Sequence, residues 1–277
     1  MGSGQAAARM LNRSQPTISR QAKDCANIFR VRIKKQERHW ICEGNDYLLE
    51  LERSVHQLGR FQGQRPLRAE INPWDRDLLR LTDVPYLKTG YCGEASPARA
   101  LELLKDKVID AYITRFGSSA LELCRDASEL ELISLATFKV HAMAHQSHGV
   151  LTSEVRQLEQ LKTFSILCWP EGVLPSFERH LQRHDLWTGG VAKSNRDLLC
   201  DWEHAARLAT TISFDKVIPQ ALHQQLQTVD IELGFTGEWI LAIRKEVSGT
   251  DIAMQLCNAL RSSLPHAKQQ FPTLKAG

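Results

Sequence analysis

The sequence lacks the features of an exported or membrane-spanning protein. No run of apolar residues approaches the ~18 that a membrane helix requires, and the chain does not open with a basic segment followed by an apolar stretch and a small-residue cleavage site. We therefore expect neither a membrane anchor nor export.

The cysteine pattern argues against two further classes of protein. The seven cysteines are odd in number and widely scattered, and none belongs to a Cys-x-x-Cys pair. Such a pattern predicts neither a disulfide framework nor a structural zinc site. The reduced cytoplasm is the predicted location.

Catalytic motifs are also missing. The sequence contains no nucleophile elbow, no phosphate-binding loop and no dinucleotide-binding fingerprint. Isolated cysteine, serine and histidine residues do not define a catalytic set. We therefore predict that the protein is not an enzyme, and we expect no cofactor.

Two groups of histidines have the spacing of metal ligands but not the expected surroundings. His141, His145 and His148 would suit a metal on a helix, yet the neighbouring residues favour a strand, in which His141 and His145 lie about 13 Å apart. His180 and His184 fall in a predicted helix beside two arginines, which indicates a solvated face. No metal site is predicted.

The charge is unevenly distributed along a chain that is long enough for two or three structural units. The 277 residues carry a net charge of +3, and 43% of them are hydrophobic. Residues 1–65 hold 12 Lys/Arg against 6 Asp/Glu, whereas the remainder holds 23 against 26. We call residues 1–65 the head and the remainder the body. A basic head on a slightly acidic body predicts that the head binds a polyanion.

The segment from Ala7 to Gln21 has the layout of a helix-turn-helix. An alanine-rich helix closes on Leu11, and a second helix follows with Ser14 at its N-cap and Pro16 in its first turn. Amides, hydroxyls and guanidinium groups on the second helix suit base edges and phosphates. The predicted DNA contacts of this segment are Arg13, Ser14, Gln15, Pro16, Thr17, Ser19 and Arg20.

This segment resembles the N-terminal signature of LysR-type transcriptional regulators. The resemblance is carried by Gly2-Ser3, Ala7-Ala8, Leu11 and the run from Ser14 to Gln21. It implies a winged helix-turn-helix that binds double-stranded DNA at an inverted repeat in a promoter. The family has one more helix before Gly2-Ser3, so the printed sequence lacks the first helix of that unit. We expect either a start further upstream or a head too short to hold DNA.

The next segment, from Phe29 to Cys42, alternates apolar and basic residues around a polar turn. This pattern predicts a β-hairpin, which the resemblance identifies as the wing. Arg32, Lys34 and Lys35, with Arg38, would then lie along DNA phosphates. The alternative is a solvated basic hairpin.

A helix with a narrow apolar seam is predicted from Asn45 to Arg60. The seam consists of Leu48, Leu51, Val55 and Leu58, at the spacing of a coiled coil. The resemblance implies that this linker helix pairs with its copy in a second subunit, giving a dimer or, by further assembly, a tetramer. The alternative is that the seam packs on the body of its own chain.

Beyond Pro66, strand and helix patterns alternate, which predicts a parallel sheet with crossover helices. The segment from Leu101 to Ile113 resembles the LysR effector domain, and the segment from Leu135 to Leu151 resembles its pair of strands ending in a histidine-rich bend. The predicted fold class is α/β with an N-terminal winged helix-turn-helix and a C-terminal two-lobed domain like the type 2 periplasmic binding proteins. The predicted boundaries are 1–43 for the DNA-binding domain, 44–65 for the linker helix and hinge, 66–161 plus 236–277 for lobe I, and 162–235 for lobe II.

A small-molecule effector is expected between the two lobes, because ligands of α/β proteins settle where strands end and helices begin. The predicted effector-binding residues lie in the corresponding loops, and Arg115 would pair with a carboxylate or phosphate. They are Asn72, Trp74, Ser96, Thr114, Arg115, Thr210 and Thr211. Ser96 could equally serve as a helix N-cap.

Together these patterns predict a sequence-specific DNA-binding transcriptional regulator controlled by a small effector. The alternative is a cytoplasmic small-molecule-binding or interaction module whose DNA-binding head is too truncated to function.

Overall fold

A computed structural model describes most of the chain, namely residues 4–36, 39–71, 84, 86–89, 97–117, 128–164, 166–167, 175–186, 210–214, 226–231, 233–270 and 275–276. The helices are α1 (Gly4–Met10), α2 (Gln15–Phe29), α3 (Tyr47–Phe61), α4 (Pro97–Lys105), α5 (Pro175–Arg183), α6 (Lys245–Ser248) and α7 (Asp251–Gln270). None of these described helices combines the length and apolar character needed to cross a membrane.

The strands are β1 (Arg32–Gln36), β2 (His39–Glu43), β3 (Leu67–Ile71), β4 (Leu87–Thr89), β5 (Ala111–Gly117), β6 (Leu130–His145), β7 (Ile166–Leu167), β8 (Thr210–Phe214), β9 (Leu226–Thr228), β10 (Thr236–Arg244) and β11 (Lys275–Ala276). Predicted helices and strands agree with these bounds to within a few residues wherever the structure describes them. The sequence pattern also predicts a helix over residues 74–82, but these residues lie outside the described part of the chain.

Two helices and a hairpin form the N-terminal head. The helix α2 begins where Ser14 accepts a hydrogen bond from the Thr17 N–H, and it ends at Arg30, whose backbone is left-handed and whose N–H reaches the Ala26 and Asn27 carbonyls. The strands β1 and β2 then pair antiparallel. The hairpin starts three residues later than the sequence pattern suggested, because α2 continues through Phe29.

The large sheet is mixed rather than parallel. Its described strands follow the order β4-β3-β5-β10-β6-β8-β7. The strand β3 is parallel to β4 and β5, and β7 is parallel to β8, but β10 runs antiparallel to both of its neighbours. The prediction of a parallel sheet is therefore wrong for its centre, where β10 brings the chain back from its later half.

One long strand joins the two halves of this sheet. Residues 130–139 of β6 pair with β10, and residues 140–145 pair with β8 and β9. The expected pair of strands between Leu135 and Leu151 is instead the end of this strand followed by a 3₁₀ turn over Gly149–Thr152. The division into lobes at residues 162 and 235 stays a prediction.

Helices cover both faces of the sheet. On one face, α4 packs its Leu101 and Leu104 over Ile240 of β10. On the other face, Leu241 belongs to the larger core, which also contains Leu256 of α7. The two faces alternate along β10, as the pleat of a strand requires.

The strands β6 and β10 approach each other closely where residue 138 faces residue 237. A Cβ atom on Gly237 would overlap the ring of Phe138, so glycine is needed at this position. The same ring also contacts Trp239, at 6.0 Å between ring centroids. This aromatic contact lies at the point where β6 passes from one half of the sheet to the other.

Candidate functional site

The second helix of the head presents a polar surface. Gln15, Ser19 and Arg20 are exposed, whereas Thr17 and Ile18 are half-buried, and α2 contains no fully buried residue. The Gln15 Nε2 atom donates a hydrogen bond to the Ser19 hydroxyl at 3.0 Å. These two side chains lie next to each other near the start of the helix and offer one amide and one hydroxyl to a ligand.

Two of the predicted DNA contacts also hold the helix start together. The Ser14 Oγ atom accepts the Thr17 N–H at 3.3 Å and lies 2.8 Å from the Thr17 hydroxyl. Ser14 is therefore the N-cap that the sequence predicted, and its oxygen is occupied by the helix. Arg13 and Pro16 are exposed beside it.

The hairpin carries its cations on exposed positions. Arg32 and Lys34 are exposed, and the Lys34 Nζ atom lies 2.6 Å from a carboxylate oxygen of Glu43 on the neighbouring strand. Sequence reasoning did not identify Glu43, although the hairpin register places it near Lys34. The side chain of Lys35 and the whole of Arg38 lie outside the described residues.

The linker helix α3 has one exposed apolar face and one buried face. The seam residues Leu48, Leu51, Val55 and Leu58 are between 46 and 69% exposed. The buried face of the same helix contains Leu49, Gln57, Arg60 and Phe61. The seam therefore does not pack on the body of its own chain, and it remains available to another helix.

A buried ion pair fixes the end of α3 to the body. The Arg60 guanidinium donates to both carboxylate oxygens of Asp110, at 2.6 and 2.8 Å, and both side chains are almost completely buried. Asp110 also accepts hydrogen bonds from the Gln57 side chain and the Arg68 N–H. Asp110 thus joins the linker helix to β3, and sequence analysis did not assign it this role.

A surface pocket of about 680 Å³ lies where the chain crosses between the halves of the sheet. It is bounded by Lys139 and His141 on β6 and by the segment from Thr228 to Thr236. Lys139 and His141 are two residues apart on the strand, so both point to the same face. The sequence pattern indicates His141 only as a candidate metal ligand and gives no role to Lys139.

We call this pocket the crossing pocket. His180 on α5 contacts the segment that borders it. The His180 Nε2 atom lies 2.8 Å from the Leu233 carbonyl oxygen, and its ring packs 5.3 Å from that of Phe235. Burial lowers the pKa of His180, against an opposing effect of this hydrogen bond. The expectation of a fully solvated histidine face is therefore wrong for His180, although the neighbouring arginines are exposed.

The structure places only part of the predicted effector site. Thr114 is buried in β5, opposite Ile240. Arg115 follows it in β5, and Thr210 and Thr211 lie in β8, but the side chains of these three residues are outside the described part of the chain. Asn72, Trp74 and Ser96 lie entirely outside the described residues.

Comparison with known proteins gives structural neighbours only. No protein-family model matches the sequence, and no curated protein matches it. The chain is similar to a hydrogen peroxide-bound OxyR mutant from Corynebacterium glutamicum, with a TM-score of 0.57 and 18% identity, over 97% of this chain and 90% of that chain. A full-length OxyR variant from Pseudomonas aeruginosa matches with a TM-score of 0.58 and 15% identity, over 93 and 92% of the two chains. The regulatory domain of MetR, a LysR family regulator from N. meningitidis, matches with a TM-score of 0.54 and 13% identity, over 76% of this chain and 98% of that domain.

The fold is that of LysR-type regulators. The resemblance noted in the sequence and the structural match agree, because the match to MetR is to the regulatory domain and the matches to OxyR span most of the chain.

Proposed function

We propose that this protein is a sequence-specific DNA-binding transcriptional regulator of the LysR type, active in the cytoplasm and controlled by a small-molecule effector. The observation that carries the proposal is the combination, in one chain with a LysR-type fold, of a basic head with a polar helix and a linker helix whose apolar seam is exposed. Two copies joined at the seam would present two heads to an inverted repeat in a promoter.

In this proposal, α1 and α2 form a helix-turn-helix, and the hairpin β1–β2 is its wing. Gln15, Ser19 and Arg20 read bases in the major groove, since they are exposed on α2, and Arg13 contacts phosphate. Ser14 and Thr17 have a structural role, because their oxygens are engaged at the helix start. The wing contributes Arg32, Lys34 and Lys35 to the phosphate contacts.

The proposed effector lies between two α/β lobes, at 66–161 plus 236–277 and at 162–235. The crossing pocket supports this proposal, because it is concave and its lining combines apolar residues with polar and charged side chains, including Lys139, His141 and Asp230. Thr114, Arg115, Thr210 and Thr211 lie on the strands that flank the crossing, and Asn72, Trp74 and Ser96 belong to the same proposed site. The effector would act by binding one arrangement of the lobes better than the other.

The direct test is a fluorescence-anisotropy titration of the protein with an inverted-repeat fragment from its own promoter and with unrelated DNA of the same length, at two salt concentrations. We expect tighter binding of the promoter fragment, and weaker binding of both fragments at higher salt. Equal affinity for the two fragments would contradict sequence-specific recognition and would favour the interaction module.

Replacing Gln15 with alanine should cost about 1–3 kcal/mol of binding free energy on the promoter fragment, because one base contact is lost. The affinity for unrelated DNA should stay within twofold of the original. Thr17→Val serves as the comparison on the same helix, since Thr17 is engaged at the N-cap and half-buried. A loss of equal size on both DNAs would assign Gln15 to phosphate rather than to a base.

Glu43 and Lys34 should have opposite effects on DNA affinity. Glu43→Gln removes the carboxylate that neutralises Lys34, so we expect binding of all sequences to tighten by roughly threefold. Lys34→Ala should weaken all sequences and reduce the slope of affinity against salt by about one. If Glu43→Gln leaves both affinity and slope unchanged, the wing does not approach phosphates at Lys34.

A further inference from the structure

A second pocket lies between the linker helix and the body. We call it the hinge pocket, and its volume is about 300 Å³, near the lower end of the range for small-molecule sites. It is bounded by α3 on one side, and by β3 and the turn after α4 on the other. Its charged lining includes Arg53, Arg60, Arg65, Arg68, Lys107 and Glu52.

The hinge pocket has more positive than negative charge. Its one lining carboxylate, on Glu52, lies 2.8 Å from His56. Among the cations, Arg60 is neutralised by Asp110. Arg65 is exposed, and its side chain makes no ion pair or hydrogen bond within the described part of the chain. The pocket therefore holds cations that its own lining carboxylate does not balance.

Carboxylates outside the lining form long ion pairs with two of these cations but do not hydrogen-bond them. Asp106 lies 3.9 Å from Arg53, and Glu246 lies 3.8 Å from Lys107, both beyond hydrogen-bond length. Glu246 instead hydrogen-bonds Arg244 at 2.8 Å. Lys107 donates a hydrogen bond to the Ser54 hydroxyl at 2.7 Å, whereas Arg53, like Arg65, makes no hydrogen bond to the residues that the structure describes. An anion that entered the pocket would therefore gain charge-assisted hydrogen bonds from Arg53 and Arg65.

We propose that the hinge pocket binds the phosphate group of a small molecule. Its cations come from three directions, with Arg53 on α3, Arg68 on β3 and Lys107 in the turn after α4. Donors that converge from several sides suit a tetrahedral oxyanion better than a planar one, and guanidinium groups match phosphate geometry. Arg65 at the mouth provides a further donor for a second phosphate or carboxylate.

Dimerisation through the seam would leave this pocket open. At 100° per residue, the centre of the pocket-lining residues of α3 and the centre of the seam are about 140° apart around the helix. Leu51 and Val55 belong to the seam and do not line the pocket. A second linker helix packed on the seam would therefore not cover the site.

A bound phosphate would bridge the linker helix and the body. Because Arg53 belongs to α3 whereas Arg68 and Lys107 belong to the body, one ligand would contact both sides of the joint. It would thereby add a second attachment of α3 to the body, beside the Arg60–Asp110 pair. Any effect of this attachment on DNA binding rests on the proposed function. The binding of phosphate in the hinge pocket does not.

The proposal is tested by isothermal titration of the full chain with inorganic pyrophosphate, with sodium chloride matched for ionic strength. We expect a dissociation constant below about 1 mM for the original protein. Arg65→Ala should weaken binding by about tenfold or more, the loss expected for one charge-assisted hydrogen bond. Arg156→Ala is the matched control, because Arg156 is an exposed arginine outside the pocket.

Three outcomes would overturn the proposal. They are the absence of pyrophosphate binding above the salt control, an equal loss in Arg65→Ala and Arg156→Ala, and tighter binding of citrate than of pyrophosphate, which would assign the pocket to carboxylates. Since none of these readouts involves DNA, failure of the hinge pocket is distinguishable from failure of the regulator function. Arg65 is exposed, so its replacement should leave the thermal unfolding midpoint without ligand unchanged.

Discussion

Replacing both Leu51 and Val55 with aspartate should reduce the affinity for the promoter inverted repeat by about 10²–10⁴-fold, because each head would then bind its half-site alone. Both side chains are exposed on the seam of α3, so the folded subunit loses no buried contact. Aspartates on facing helices would also repel each other across the seam. Sedimentation velocity should show a monomer where the original protein is a dimer.

The control for this double variant is Met254→Asp. Met254 is a large exposed hydrophobic residue on α7 and does not belong to the seam. Its replacement should change neither the sedimentation coefficient nor the promoter affinity. A dimer that persists in the double variant would show that the subunits meet through another surface.

Replacing Asp110 with asparagine should lower the free energy of unfolding by about 3–5 kcal/mol, because the Arg60 cation would stay buried without a counterion. Asparagine keeps the size of the side chain and one acceptor for the Arg68 N–H, so the change in charge is isolated. Urea unfolding of the full chain measures the effect. Glu102→Gln should cost less than about 1 kcal/mol, because the Arg99–Glu102 pair lies near the surface.

A second variant distinguishes the ion pair from general damage to the core. Adding Arg60→Met to Asp110→Asn removes the unbalanced cation, so the double variant should be more stable than Asp110→Asn alone. If the losses of stability caused by Asp110→Asn and by Arg60→Met simply add, the salt bridge does not couple these residues. Other contacts of α3, such as those of Phe61, would then hold the helix on the body.

Local patterns in the sequence predicted the head and the linker helix well. Ser14 and Pro16 mark a helix start through their own backbone and side-chain chemistry, and the structure confirms this start. The seam of α3 could be predicted because the spacing of its apolar residues is a property of one helix. The structure shows that these residues are exposed. The roles of these residues in DNA binding and dimerisation stay predictions.

The sequence could not reveal features that depend on distant pairing. Asp110 and Arg60 are 50 residues apart in the sequence, and no local pattern near either residue indicates that they pair. The central strand β10 runs antiparallel to both of its neighbours, and this direction follows from the path of the whole chain rather than from a local pattern. Lys139 and His141 likewise gain a possible role only when the segment from Thr228 to Thr236 closes the pocket beside them.

The two faces of α3 also set an order of assembly. The Arg60–Asp110 pair and Phe61 hold the helix on its own subunit before any second subunit arrives. Association would then join two rigid helices, with little ordering to slow the encounter. Until that encounter, each subunit carries an uncovered apolar stripe, so the subunit that has not dimerised should be the form most prone to aggregation.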